Sequence, residues 1–132
     1  MNVVIIGVGR VGARLATLLH TSHRVSVLDI DQSSFGRLPA DYQGEVYRGN
    51  GIDIDTLKAA GAGMADVVIA VTNGDNRNLM AAQVAKRVLN VPRAIARVYD
   101  PVRAEIFSEM GLETISSTVN GAERLHSQIV GE

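Results

Sequence analysis

Three glycines, Gly7, Gly9 and Gly12, stand in the pattern G-x-G-x-x-G directly after an apolar run from Val3 to Ile6. Residues of this type and spacing suit a phosphate. The first glycine permits a tight turn from strand to helix, the second lets the backbone approach a pyrophosphate, and the third lets the helix pack close against the strand. Free N–H groups at the start of that helix then face the anion. The same spacing also serves plain turns, so the neighbouring chemistry has to agree with it.

Asp29 ends the next apolar segment, 17 residues after Gly12. That is close to the interval at which a carboxylate accepts hydrogen bonds from an adenosine ribose and repels a 2′-phosphate. Two readings stand for it: a ribose acceptor, or a strand-terminal Asp that caps the next turn, with Asp31 competing for the first role. Arg10, between the second and third glycines, is either a bidentate phosphate clamp or a solvent-facing arginine. A cation there opposes the helix dipole, which argues against a purely structural role. Asn50 and Gly51 read either as neighbours of an adenine edge or as a tight turn. Thr72 and Asn73 read either as ligands to a phosphate or second ribose, or as a helix cap formed with Asp75. Arg97 lies within an apolar strand pattern and needs a partner there, which a bound phosphate, Asp29 or Asp66 would supply.

The remaining chemistry is sparse. His20, His23 and His126 are isolated, and the sequence predicts surface positions for them. No His/Cys/Asp cluster has metal-ligand spacing, no nucleophile elbow is present, and the G-x-x-x-x-G-K-[ST] phosphate loop is absent. Asp53 and Asp55 flank Ile54 and diverge. The reading is a nucleotide site with no catalytic group and no metal, hence not an enzyme. With 13 basic and 14 acidic residues interspersed, a net charge of −1 and 4% aromatics, the chain has no basic face or stacking platform for nucleic acid. Its longest apolar runs, Val3 to Ile6 and Val67 to Val71, are strand-sized, so no membrane insertion is expected. There is no cysteine. The chain opens at once on a strand pattern, which predicts no targeting segment and a cytoplasmic location.

These residues are positioned by a regular alternation of elements, expected as one domain over residues 1–132. Strands are predicted over 24–28, 45–47, 66–71, 93–98 and 113–115 in addition to the first. Helices are predicted over 10–21, 56–60, 76–89, 101–110 and from about 117 to 130, with a short one over 32–38. Two β-α-β halves of this kind make an α/β doubly wound, Rossmann-like parallel sheet of six strands, order 3-2-1-4-5-6, with helices on both faces. Its crevice lies at the carboxyl ends of strands one and four, where the loops at 7–12 and 72–75 fall.

Taken in order, Gly7 to Gly12, Leu28-Asp-Ile-Asp31, Arg48-Gly-Asn-Gly51 with Leu57 to Ala62, Ala65-Asp66, Ala70-Val71-Thr72, Asp75, Asn78, Ala85-Lys86 and Ile95 to Val98 resemble a known family. It is the nucleotide-binding domain of Trk/Ktr-type potassium-transport regulators, the RCK N-terminal or KTN domain, and the resemblance covers nearly the whole chain. It implies a cytoplasmic regulatory subunit, peripheral to the membrane, that binds ATP/ADP or NAD(H) and controls a membrane-embedded potassium channel or transporter through ring-like assembly. AMP is compatible and NADP is disfavoured by Asp29. The implied ligand contacts fall on Gly7, Val8, Gly9, Arg10, Val11, Gly12, Asp29, Ile30, Asn50, Gly51, Thr72, Asn73 and Arg97. In that family an arginine at the place of Arg10 goes with binding the terminal phosphates of ATP or ADP. The sequence departs from the family at Asn50, where many members carry Asp. Members often continue into a smaller C-terminal domain or a second copy, so a chain ending at Glu132 is either a piece of a longer protein or a stand-alone subunit. Val119, Ala122, Leu125, Ile129 and Val130 form a stripe on the last helix that reads as intramolecular core or, as the resemblance implies, as a homo-oligomer interface in a dimer, tetramer or octameric ring.

Two other functions compete with this one. The cofactor half of an NAD-dependent oxidoreductase would need a substrate pocket and an acid/base group near the nicotinamide. A degenerate scaffold that binds only protein would make Asp29 and the glycines coincidental.

Overall fold

The computed structural model describes residues 1–131. Six strands, β1 (Asn2–Ile6), β2 (Arg24–Asp29), β3 (Glu45–Arg48), β4 (Val67–Ala70), β5 (Arg93–Arg97) and β6 (Glu113–Ile115), form one sheet in the order β3-β2-β1-β4-β5-β6. Every pairing is parallel. The continuous Val/Ile runs of β1 and β4 explain their central places, because only strands covered on both faces bury every side chain. Val4, Ile6, Val68 and Ala70 face one core with Leu57, Leu79, Ala82 and Ala104. Val3, Ile5 and Val67 face another with Ala13, Ala16 and Val27.

The helices divide accordingly. α1 (Arg10–Leu19) and a 3₁₀ turn at Gln32–Arg37 lie on the second face, while α2 (Ile54–Ala59), α3 (Asp75–Gln83) and α4 (Pro101–Glu109) cover the first. α3 continues into a wider π turn over Val84–Val88, so the predicted single helix over 76–89 is two geometries; Leu89 N–H reaches the Val84 carbonyl. Asp53 stands before α2, but its carboxylate accepts from the Thr56 hydroxyl at 2.7 Å instead of capping backbone N–H groups. α5 (Ser117–Val130) starts at Ser116, whose side chain accepts from Val119 N–H, and buries none of its residues. Its stripe therefore does not serve as intramolecular core.

His20 is a correction. It is 6% exposed, its Nδ1 accepts from Gln43 N–H at 3.1 Å, and its ring packs against Tyr42. The loop before β3 folds back over the end of α1 and buries it, a long-range contact with no local pattern. None of the helices among the described residues is long and apolar enough to cross a membrane.

Candidate functional site

At the carboxyl ends of the central strands the chain leaves a cleft of about 410 Å³. One wall is the glycine turn. Gly7 adopts φ of +103°, and a Cβ there would meet the backbone of Val71 and Thr72 at about 2.9 Å. A Cβ on Gly12 would overlap the Gly7 carbonyl, so this glycine is required for α1 to start against β1. At Gly9 the situation is reversed: a Cβ would meet nothing within 4 Å. Gly9 borders open cleft, and protein packing does not demand it.

The acid at the end of β2 is tied to this turn. Asp29 Oδ2 accepts from Val8 N–H at 2.8 Å, and Oδ1 accepts from Asp31 N–H at 2.9 Å. The turn-capping reading of Asp29 is thus realised; each oxygen keeps a further lone pair, and the residue lines the cleft. Asp31 caps the 3₁₀ turn through Ser33, and these hydrogen bonds hold its carboxyl below the usual carboxylate range.

Of the residues singled out in the sequence, Gly7, Gly9, Asp29, Ile30, Asn50, Gly51, Thr72 and Asn73 line the cleft together. Val8 is buried and contributes only its backbone, with N–H bound to Asp29 and carbonyl facing Arg37. Gly12 is buried behind the turn. Arg10 and Val11 are exposed on the first turn of α1, outside the cleft lining.

Thr72 is held by α3. Its N–H and hydroxyl both donate to Asn78 Oδ1, at 2.8 and 2.6 Å, and Asn78 Nδ2 returns to the Thr72 carbonyl at 3.0 Å and the Arg97 carbonyl at 2.8 Å. Asp75 does not cap α3 with them, since its carboxylate accepts from Tyr99 and Asp100 N–H groups in the loop before α4. Arg97 is 8% exposed and lies outside the cleft lining. Its partners are not acids. The guanidinium donates to the Val71 and Thr72 carbonyls, each at 3.0 Å, and lies 5.1 Å from the Tyr99 ring centre; Nε has no hydrogen-bond partner among the described residues. Neither Asp29 nor Asp66 pairs with it: their carboxylates accept from the backbone N–H groups of Val8 and Asn2. The carbonyls at the end of β4 supply the partial negative charge instead.

Two cations line the cleft that sequence reasoning missed. Arg37 Nη1 reaches the Val8 carbonyl at 3.3 Å, and Arg77 lies on the first turns of α3. A 3₁₀ turn has no apolar periodicity to betray which side Arg37 takes. Arg77 was legible in principle, as the residue one position before the buried Asn78 at the start of a helix that opens on the crevice.

Comparison with known proteins places the chain in a family and agrees with its fold. The TrkA-N domain family matches residues 3–118. The Trk system potassium uptake protein TrkA of Streptomyces coelicolor is 43% identical over 118 residues, which are 89% of this chain and 53% of that protein. The chain spans about half the length of this relative and of the TrkA homolog of Methanothermobacter thermautotrophicus, which is 36% identical over 118 residues. Among solved structures, the Kef CTD of Shewanella denitrificans in AMP-bound form superposes with a TM-score of 0.83 at 24% identity, over 99% of this chain and 80% of that one. GsuK bound to ADP superposes with a TM-score of 0.78 at 24% identity, over 96% of this chain and 33% of that one. At such identities the likeness establishes the fold.

Proposed function

The chain belongs to the TrkA-N family, and we propose that it is a nucleotide-sensing regulatory domain of a potassium channel or transporter, binding an adenine nucleotide in the cleft beside the glycine turn. The observation that carries the proposal is Asp29, whose carboxylate joins the end of β2 to the turn through Val8 N–H while lining the cleft. In this arrangement Asp29 and Ile30 take the ribose, Asn50 and Gly51 flank the adenine, Gly7 to Gly12 with Arg10 take the phosphates, and Thr72 and Asn73 meet the distal part of the ligand. Arg97 acts behind Thr72, on its carbonyl. ATP, ADP, AMP and NAD(H) fit this plan, and a 2′-phosphate would meet the Asp29 carboxylate, which disfavours NADP.

The relatives named for potassium uptake support the functional class, and the AMP- and ADP-bound neighbours support the ligand class. The domain acts without chemistry: a nucleotide shifts its conformational equilibrium by no more than the difference in affinity between two states. A cytoplasmic position beside a membrane-embedded partner follows from that role. Assembly into a homo-oligomer is supported by α5, where Leu125 and Ile129 are 60% and 81% exposed, and by Ile115 on the edge strand, 43% exposed.

Calorimetry of the purified domain against AMP, ADP, ATP, NAD, NADH and NADP tests the reading. Binding of at least one adenine nucleotide with NADP weakest is expected; no binding by any of the six refutes it. Sedimentation over a wide concentration range tests assembly, and a mass that stays monomeric throughout removes that part.

A further inference from the structure

The two ends of the cleft differ in charge. At the β2 end stand two carboxylates, Asp29 and Asp31, with one cation, Arg37, beside them, and at the β4 end stand Thr72, Asn73 and the cation Arg77, with no lining carboxylate among the described residues. Carboxylates accept hydrogen bonds from sugar hydroxyls and repel anions, while a guanidinium forks onto phosphate oxygens. Arg77 is free to do so. It is exposed and makes no hydrogen bond or ion pair with a side chain among the described residues, in contrast to Arg37, already engaged at the Val8 carbonyl.

Resting on the adenine-nucleotide reading above, we propose that Arg77 sets which nucleotide this cleft prefers, selecting a nucleoside diphosphate or triphosphate over a monophosphate or a dinucleotide. A nucleoside polyphosphate has the polarity of the cleft: hydroxyl donors at one end and dense negative charge at the other. AMP ends before the β4 side. NAD reaches it with a second ribose and a nicotinamide ring that carries positive charge when oxidised, which meets Arg77 as like charge. Each phosphate added beyond the first brings charge toward Arg77 through a partly solvated path, so the gain is electrostatic and falls with salt.

The test is a set of dissociation constants for AMP, ADP, ATP and NAD, measured by calorimetry at low salt with chelator present so that no divalent cation masks the phosphates. Wild type, Arg77→Gln and Arg77→Lys are compared. The expected result is that wild type binds ADP and ATP more tightly than AMP and NAD. Arg77→Gln then weakens ADP and ATP by about tenfold and AMP by less than about twofold, while Arg77→Lys stays within about threefold of wild type. Because the side chain is exposed, folding is expected to be unaffected, and a melting curve of each variant checks this. Equal losses for AMP and ADP in Arg77→Gln, unchanged ADP affinity, or tighter wild-type binding of NAD than of ADP overturn the inference and leave the nucleotide reading intact. Failure of wild type to bind any of the four overturns both.

Discussion

Asn78 and Thr72 are locked to each other by three hydrogen bonds, two accepted by Asn78 Oδ1 from the Thr72 N–H and hydroxyl and one donated by Nδ2 to the Thr72 carbonyl. Asn78 is fully buried, and its remaining donor reaches the Arg97 carbonyl. One amide therefore fixes the end of β4, which forms a wall of the cleft, to both α3 and β5. Asn78→Leu leaves the Thr72 donors without a partner inside the fold. A loss of about 2–4 kcal/mol in urea unfolding is expected, together with weaker nucleotide binding. Stability within about 0.5 kcal/mol of wild type would show that the network is dispensable.

The glycine turn separates packing from binding. Gly12→Ala drives a methyl into the Gly7 carbonyl and is expected to abolish folding or to lower the melting temperature steeply. Gly9→Ala places its methyl in open space and costs only the poorer N-cap of α1, so stability should fall by no more than about 1 kcal/mol. Its effect should appear in ligand affinity, because the methyl occupies the route by which a phosphate approaches the backbone. A Gly9→Ala variant that melts early, or binds nucleotide as wild type does, contradicts this division.

Asp29→Asn tests the carboxylate. An amide can keep one of the two backbone N–H bonds but turns its NH₂ toward the other donor, at Val8 or Asp31. Stability should fall by about 1–2 kcal/mol. The preference for ligands without a 2′-phosphate should narrow in a competition between NAD and NADP. A variant that retains the full preference would remove Asp29 from ligand selection.

Tyr42 makes stability depend on alkaline pH. Burial pushes its phenol up to about 12 from the ordinary 10, with the nearby Glu45 carboxylate adding to the shift. Its hydroxyl lies 3.2 Å from the Val25 carbonyl and 2.9 Å from that of Glu45, and both favour the protonated form. Since the folded value is raised, the contribution is fully present below pH 10 and is lost as pH climbs from about 10 through about 12. Tyr47, raised by its hydrogen bond to the Glu45 carboxylate, acts in the same direction. Urea midpoints should fall over this interval in wild type and less steeply in Tyr42→Phe; parallel profiles would count against the assignment.

What the sequence made legible was local or periodic. The unbroken Val/Ile runs of β1 and β4 announced central parallel strands, and Gly7, Gly12 and Asp29 each answer a demand made by residues beside them in the fold's own repeat. What it hid was long-range. A buried cation at Arg97 calls for a phosphate or an acid as partner, yet the carbonyls of Val71 and Thr72 that serve it lie more than twenty residues away in the chain, beyond any local signal. His20, isolated in the sequence, gives no sign of burial, because the residues that cover it, Tyr42 and Gln43, belong to a loop with no hydrophobic pattern. Arg37 and Arg77 reach the cleft from an irregular turn and a helix start, where side-chain direction depends on geometry that periodicity does not encode.

The register of β1 also governs the order of events as the chain folds. Val3 pairs with Val25 on one side and with Val67 on the other, so its second neighbour arrives 64 residues later. Loop closure over that span must precede the contacts that reward it, which places this topology among the slower folders of its size. β1 is synthesised before β4 and lacks that second neighbour until β4 follows. During that interval Gly7 has no Val71 or Thr72 to pack against, so competence to recognise a ligand appears only when the two halves of the sheet join.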